Sequence, residues 1–188
     1  MGLRNSDQGW GVLARLLHWG IGGLIIFMLG LGVYMTRIVT ETSEIFAWIQ
    51  VHKSWGFVVF ALALVRIGWR AMNPSPALPD GMNGPERFLA KAGHLSLYLL
   101  MIAIPVSGWL MVSSSPFQDM GVRNSVFGWF DLPDPFKPGD KDLSELFSNI
   151  HFICVIALSV VLVGHIGAAL KHHFINRDNV LRRMIIGR

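Results

Sequence analysis

The chain has 188 residues, of which 52% are hydrophobic and only 15% charged, with a mean hydropathy of +0.47. A soluble domain would carry about 25% charged residues, so composition excludes a soluble globule and points to a membrane protein. The net charge of +4 and isoelectric point near 9.6 come from an asymmetry between loops and imply no nucleic-acid partner.

A bilayer crossing needs about 20 mostly apolar residues, and four segments supply them. The first span covers about residues 12–36, and its apolar run from Leu16 to Thr36 has His18 as its one ionisable group. That run is longer than a signal-peptide core and no A-x-A-like site follows, so it is a retained span. Gly20, Gly22, Gly23, Gly30 and Gly32 let helices approach closely and leave room for a flat macrocycle. The second span, about 46–70, carries His52 near its start and is interrupted by Lys53 and Arg66. Turn formers follow in Asn73-Pro-Ser-Pro and Pro79-Asp80-Gly81. Asn83 or Gly84 before Pro85 opens a helix into the third span. That span, about 90–115, is uncharged from Ala92 apart from His94, contains Gly108, and is kinked at Pro105. A long connection, about 114–148, mixes Pro133, Pro135, Pro138 and Gly139 with Phe127, Trp129, Phe130 and Phe136. It reads either as an interfacial aromatic belt or as a lid or docking surface over a cofactor. The fourth span, about 146–172, has no Asp, Glu, Lys or Arg from Leu146 to Leu170 but holds His151 and His165. The expected fold is all-α: one integral-membrane four-helix bundle over residues 1–188.

With four spans, both termini and the loop between spans two and three share one side. That side carries eleven Lys and Arg, among them Arg15, Arg66, Arg70, Lys91 and Arg188, against five on the other. The positive-inside rule therefore places both termini in the cytoplasm of a bacterial inner membrane. Counting acids, the inner side balances at +7 (eleven bases, four acids) and the outer side at −3 (five bases, eight acids). The lone cysteine, Cys154, precludes an intrachain disulfide and a C-x-x-C-H haem attachment, so any haem is held non-covalently.

Seven histidines occur, at 18, 52, 94, 151, 165, 172 and 173, and the first five lie in or at the ends of the spans. Ionisable groups in a membrane are costly and face a functional interior. One such histidine alone would be an ordinary hydrogen-bonded interhelical contact; five at matched depths suggest ligation. His151 and His165 stand fourteen positions apart, about 21 Å of rise and close to four whole turns, so both leave from nearly one face. They suggest two stacked haems. By depth, His52 opposes His151 at the outer end. Arg66, fourteen after His52, cannot ligate iron, so the inner haem draws its second ligand from His18 or His94, and depth favours His18. Two imidazoles on each iron leave no open position and suit electron transfer. Arg15, Lys53, Arg66 and Arg70 are candidates to pair with haem propionates, or else snorkelling cations. His94, Lys91 and His172 are candidates for a quinone site; Lys171, His172 and His173 also answer a helix C-terminus and anionic lipid.

These residues fall in a pattern that resembles the bacterial cytochrome b561 family, the small inner-membrane di-haem cytochromes b. The likeness covers nearly the whole chain. It rests on Leu17-His18-Trp19, His52-Lys53-Ser54, Arg66 to Arg70, Gly93-His94-Leu95-Ser96-Leu97-Tyr98-Leu99-Leu100, His151, Gly164-His165 and Lys171-His172-His173-Phe174. The resemblance implies a four-helix bundle with two haem b groups, ligated by His18 with His165 and His52 with His151, exchanging electrons with ubiquinone. One family member oxidises superoxide; the Val126-Phe127-Gly128-Trp129-Phe130-Asp131 segment looks like another subgroup. The expected function is electron transfer between a periplasmic redox partner and the quinone pool. The alternatives are a superoxide:ubiquinone oxidoreductase and a membrane-anchoring cytochrome b subunit of a periplasmic redox or lipid-binding protein. A His-lined metal-ion transporter is disfavoured, since the spans hold no carboxylates beside the histidines.

Overall fold

The structure, a computed structural model, describes residues 2–79, 81–120 and 123–187. Asp80 of the turn-forming segment and Arg188 of the charge count lie outside these residues. Four long helices carry the chain: α1 (Val12–Arg37), α2 (Thr42–Met72), α3 (Gly84–Ser114) and α4 (Lys141–Lys171). All four are long and apolar enough to cross a membrane. A short α5 (Val180–Ile186) closes the chain, and apolar span counting does not foresee it.

Caps, not the edges of the apolar runs, set where the helices begin. At α3, Asn83 Oδ1 accepts from the Glu86 N–H at 2.9 Å and Glu86 Oε2 accepts from the Asn83 N–H at 3.3 Å. This reciprocal box satisfies two otherwise orphaned donors, and Pro85 sits in the first turn where its missing N–H costs nothing. At α4, Asp140 Oδ1 accepts from the Leu143 N–H at 2.9 Å. The helix therefore starts at Lys141, several residues before the apolar stretch, because Asp140 supplies the cap that hydropathy does not register.

The connection between α3 and α4 is folded. It contains a 3-10 turn (Pro116–Met120) and an antiparallel hairpin, β1 (Ser125–Val126) with β2 (Phe130–Asp131). Phe127 (φ 51°) and Gly128 (φ 72°) are both left-handed, and the Trp129 N–H donates to the Val126 carbonyl at 2.9 Å. Two successive positive φ values give the turn the twist that suits paired strands. After α4, a π-helical turn spans His172–Asn176 and ends on Arg177 at φ 53°.

The chain forms two compact units, and each long helix contributes a stretch to both. We call them the terminal unit (Met1–Gly22, Leu62–Leu99, Ala157–Arg188) and the loop unit (Gly23–Ala61, Leu100–Ile156). In the terminal unit, Leu17, Ile21, Ala63 and Leu158 are buried. The C-terminal segment is tied down by side chains reaching backbone carbonyls: Arg15 Nη1 to Ile185 at 2.7 Å, Trp19 Nε1 to Met184 at 3.0 Å, and Arg183 Nη1 to Ala77 at 2.8 Å. In the loop unit, Ile25, Leu31, Val59, Met101, Val112 and Val126 are buried, together with Ser113 and Ser114. Asn124 Nδ2 donates to Ser113 Oγ at 3.1 Å and to Asp134 Oδ1 at 2.7 Å, anchoring the hairpin to the end of α3. Large apolar side chains stay exposed along the helices, Val160 at 68% and Val163 at 71% among them. Such exteriors are unfavourable in water and favourable against lipid.

Candidate functional site

The loop unit brings His52 on α2 against His151 on α4. Their ring centroids lie 6.5 Å apart with planes at 71°. His151 Nδ1 lies 2.9 Å from the Ile104 carbonyl, to which it donates, with Ser107 Oγ at 3.2 Å. A carbonyl partner fixes the proton on Nδ1 and leaves Nε2 with a free lone pair, the usual arrangement of a metal-ligating histidine. Gly108 permits this: a Cβ there would stand 3.2 Å from His151 Cε1 and Nδ1. On the other ring, His52 Nδ1 is buried without a hydrogen-bond partner. Lys53, next to His52, donates its ammonium to the Arg123 carbonyl in the hairpin approach.

The terminal unit gathers three histidines. His165 on α4 lies 6.0 Å from His18 on α1 and 5.5 Å from His94 on α3, centroid to centroid. Arg66 Nη2 reaches His18 Nδ1 at 2.9 Å. A guanidinium only donates, so His18 Nδ1 accepts and the proton of the neutral ring sits on Nε2. Arg66 and Arg70 also place their guanidinium carbons 5.6 and 5.5 Å from the Tyr98 ring centroid, within cation–π range. Among the described residues no carboxylate forms an ion pair with either arginine.

The other sequence-derived candidates fall as follows. Arg15 is held by the Ile185 carbonyl. Lys91 is exposed on α3, one turn before the exposed His94. His172 does not join them: its Nδ1 bonds Asp178 Oδ2, while Lys171 pairs with Glu86 at 2.7 Å. Asp178 and Glu86 line a cavity of about 510 Å³ with Pro79, Gly81, Met82, Asn83 and Asn176. Sequence reasoning misses Tyr98, the Ile104 carbonyl and Asp178 as partners. Only Tyr98 carries a signal, standing on the face of α3 that holds His94, four residues on.

Both histidine pairs fit axial ligation of iron. An iron with an imidazole nitrogen about 2 Å away on each side, and each ring centroid about 1 Å farther, sets the centroids about 6 Å apart. Among the described residues no group of three His, Cys, Asp or Glu is arranged to hold a bare metal ion. Paired imidazoles would suit the iron of a haem, to which they would supply nitrogen ligands.

Comparison with known proteins decides the family. Residues 9–187 match the family described as prokaryotic cytochrome b561. The chain belongs to the prokaryotic cytochrome b561 family. It is 32% identical to cytochrome b561 homolog 2 of Escherichia coli strain K12 over 185 residues, 98% of this chain and 95% of that protein. It is 27% identical to cytochrome b561 homolog 1 of the same strain over 72% of this chain and 73% of that one. It is 29% identical to the probable superoxide oxidase CybB of Yersinia pestis, over 73% and 75% of the two chains. Membership in this cytochrome b561 family implies a b-type haem and electron transport, and the four membrane-length helices make this cytochrome an integral membrane protein.

Proposed function

We propose that this cytochrome carries electrons across the inner membrane through two haem b groups, from or to a periplasmic redox partner at one end and the quinone pool at the other. The observation that carries the reading is the pair of cross-helix histidine couples, His52–His151 at 6.5 Å and His18–His165 at 6.0 Å. They draw on α1, α2 and α4, and α4 supplies a member to each. Haem supplies one-electron exchange without bond rearrangement when both axial positions are filled.

The residues act as ligands and as charge partners. His151 offers Nε2 because Ile104 holds its other proton. His18 offers Nε2 only once Arg66 lets go of Nδ1, and a haem propionate is the better acceptor for a guanidinium. Arg66 and Arg70 are the propionate partners, since Arg15 and Lys53 are already engaged by backbone carbonyls. His94 and Lys91, in the unit with His18–His165, support a quinone site at that end, while His172 is engaged by Asp178. Reduced-minus-oxidised spectra and pyridine haemochrome assay of the purified protein should give about two haem b per chain. A value of one or none refutes the two-haem reading.

The likeness to a probable superoxide oxidase supports a second reading, in which superoxide donates its electron outside and leaves as O₂. Stopped-flow mixing with superoxide would then reduce the haems near the diffusion limit, and salt would slow the reaction steeply. Slow reduction indifferent to salt eliminates this reading.

A further inference from the structure

The hairpin of the loop unit is built onto the turn of α2 that carries His52. The Phe127 N–H donates to Ser54 Oγ at 2.9 Å, and Lys53 and Gln50 both donate to the Arg123 carbonyl. From that turn an aromatic series leads outward. Trp55 meets Phe127 edge-on with centroids 5.6 Å apart, and Phe127 meets Trp129 at 5.6 Å. Trp129 ends the series at the hairpin tip, 81% exposed. A tryptophan that exposed, beside the exposed Phe127 and Phe130, is an anchor without a socket in this chain. Beneath the tip lies an almost wholly apolar cavity of about 330 Å³, lined by Gln50, Val51, Ser54, Ser125, Phe127 and Gly128.

The exposed charges of the 123–145 segment are net acidic. Asp131, Asp134, Asp140, Asp142 and Glu145 are exposed, against Arg123, Lys137 and Lys141. Arg123 is neutralised by Asp131 at 3.3 Å. Asp134 Oδ1 is pinned by two amide donors, Gln118 Nε2 at 2.9 Å and Asn124 Nδ2 at 2.7 Å, and Lys53 is the one cation that acts on it electrostatically among the described residues. The carboxylate is fixed in place by neutral amides and stays exposed, which suits recognition of a cation at little ordering cost.

We propose that this hairpin is the docking face for a basic, water-soluble redox protein. Trp129 seats on the partner as the apolar anchor, Asp134, Asp142 and Glu145 steer its positive surface, and electrons pass next to His52. This rests on the electron-transfer reading above and names its external partner by chemistry. The carboxylates that attract a basic protein repel superoxide, so the docking face favours a protein over the anion.

The test uses the haem-loaded protein in nanodiscs of zwitterionic lipid, so that the membrane contributes no charge. Ferricytochrome c, a basic soluble haem protein, and ferric rubredoxin, an acidic one, serve as probes. Binding of labelled probe is followed by anisotropy, and electron transfer by stopped flow after prereduction. Ferricytochrome c should bind and oxidise the protein, with both effects weakening about tenfold or more between low salt and a few hundred millimolar. Trp129→Ala should weaken binding about tenfold, and the exposed Asp142→Lys should weaken it several-fold while improving rubredoxin. Equal behaviour of the two probes, or an unaffected Trp129→Ala, overturns the proposal. So does quenching of Trp129 by bromolipid, which would place the tip in the membrane interface. Ferricyanide oxidation of the same samples separates the two readings: if it too fails, electron transfer itself is at fault, not the docking face.

Discussion

His165 stands between two imidazoles, 6.0 Å from His18 and 5.5 Å from His94, so distance alone does not choose its partner. Hydrogen bonding distinguishes them: His18 is bonded to Arg66, so a haem held by His18 would require that guanidinium to change partner. His18→Ala should reduce the haem content from about two to about one per chain, and His94→Ala should leave it near two, counted by haemochrome assay. The reverse result would hand the ligand role to His94. At the other pair, the space for His151 depends on Gly108. A branched side chain there must push the imidazole from the Ile104 carbonyl, since even a Cβ would sit at 3.2 Å. Gly108→Val should therefore lose the His52–His151 haem and keep the other, seen as a halved Soret band with one remaining redox midpoint. The gathering of the span histidines was legible because an ionisable group in an apolar run stands out. Arg66's bond to His18 was not, because a span arginine reads equally as a snorkelling cation.

The elements follow a similar division between what hydropathy registers and what caps and turns decide. Apolar run length anticipated all four membrane helices, and the start of α3 at Gly84 matched the cue of Asn83 or Gly84 before Pro85. Loss of the α3 cap, Asn83→Ala, should destabilise the protein by about 1 kcal/mol, measured as a lowered melting temperature with unchanged haem spectra. The hairpin at 125–131 escaped sequence reading for a specific reason: Phe127 adopts φ 51°, a conformation that is uncommon for an aromatic residue. What holds it there is tertiary, namely the Ser54 hydroxyl under its N–H and Trp55 against its ring. The start of α4 at Lys141 was missed because Asp140, Lys141 and Asp142 look like loop when hydropathy is the only guide. Pro138-Gly139 before Asp140 was the available signal.

For the whole molecule, the charge imbalance of the loops predicts an orientation in the membrane that the fold alone does not give. Eleven Lys and Arg on the side of the termini against five opposite predict both termini in the cytoplasm. A fluorescent protein fused after Gly187 should fold and shine, and an alkaline phosphatase fused within the 133–139 segment should be active. Inverted activities would place the termini outside. The exposed apolar helix faces explain why the chain needs no large protein core: Val160 and Val163 suit contact with lipid, and the paired histidines are half-buried.

Of the four long helices, α4 alone supplies a member to both the His52–His151 and the His18–His165 pair. The segment from His151 to His165 is therefore held by its count of residues and only loosely by their identity. One residue gained or lost would turn one imidazole about 100° away from its mate, whereas exchanging one apolar side chain for another at Val160 or Val163 leaves the phase untouched. Length is the conserved quantity that this geometry demands, and descendants of such a helix are free to drift in spelling while remaining unable to drift in number.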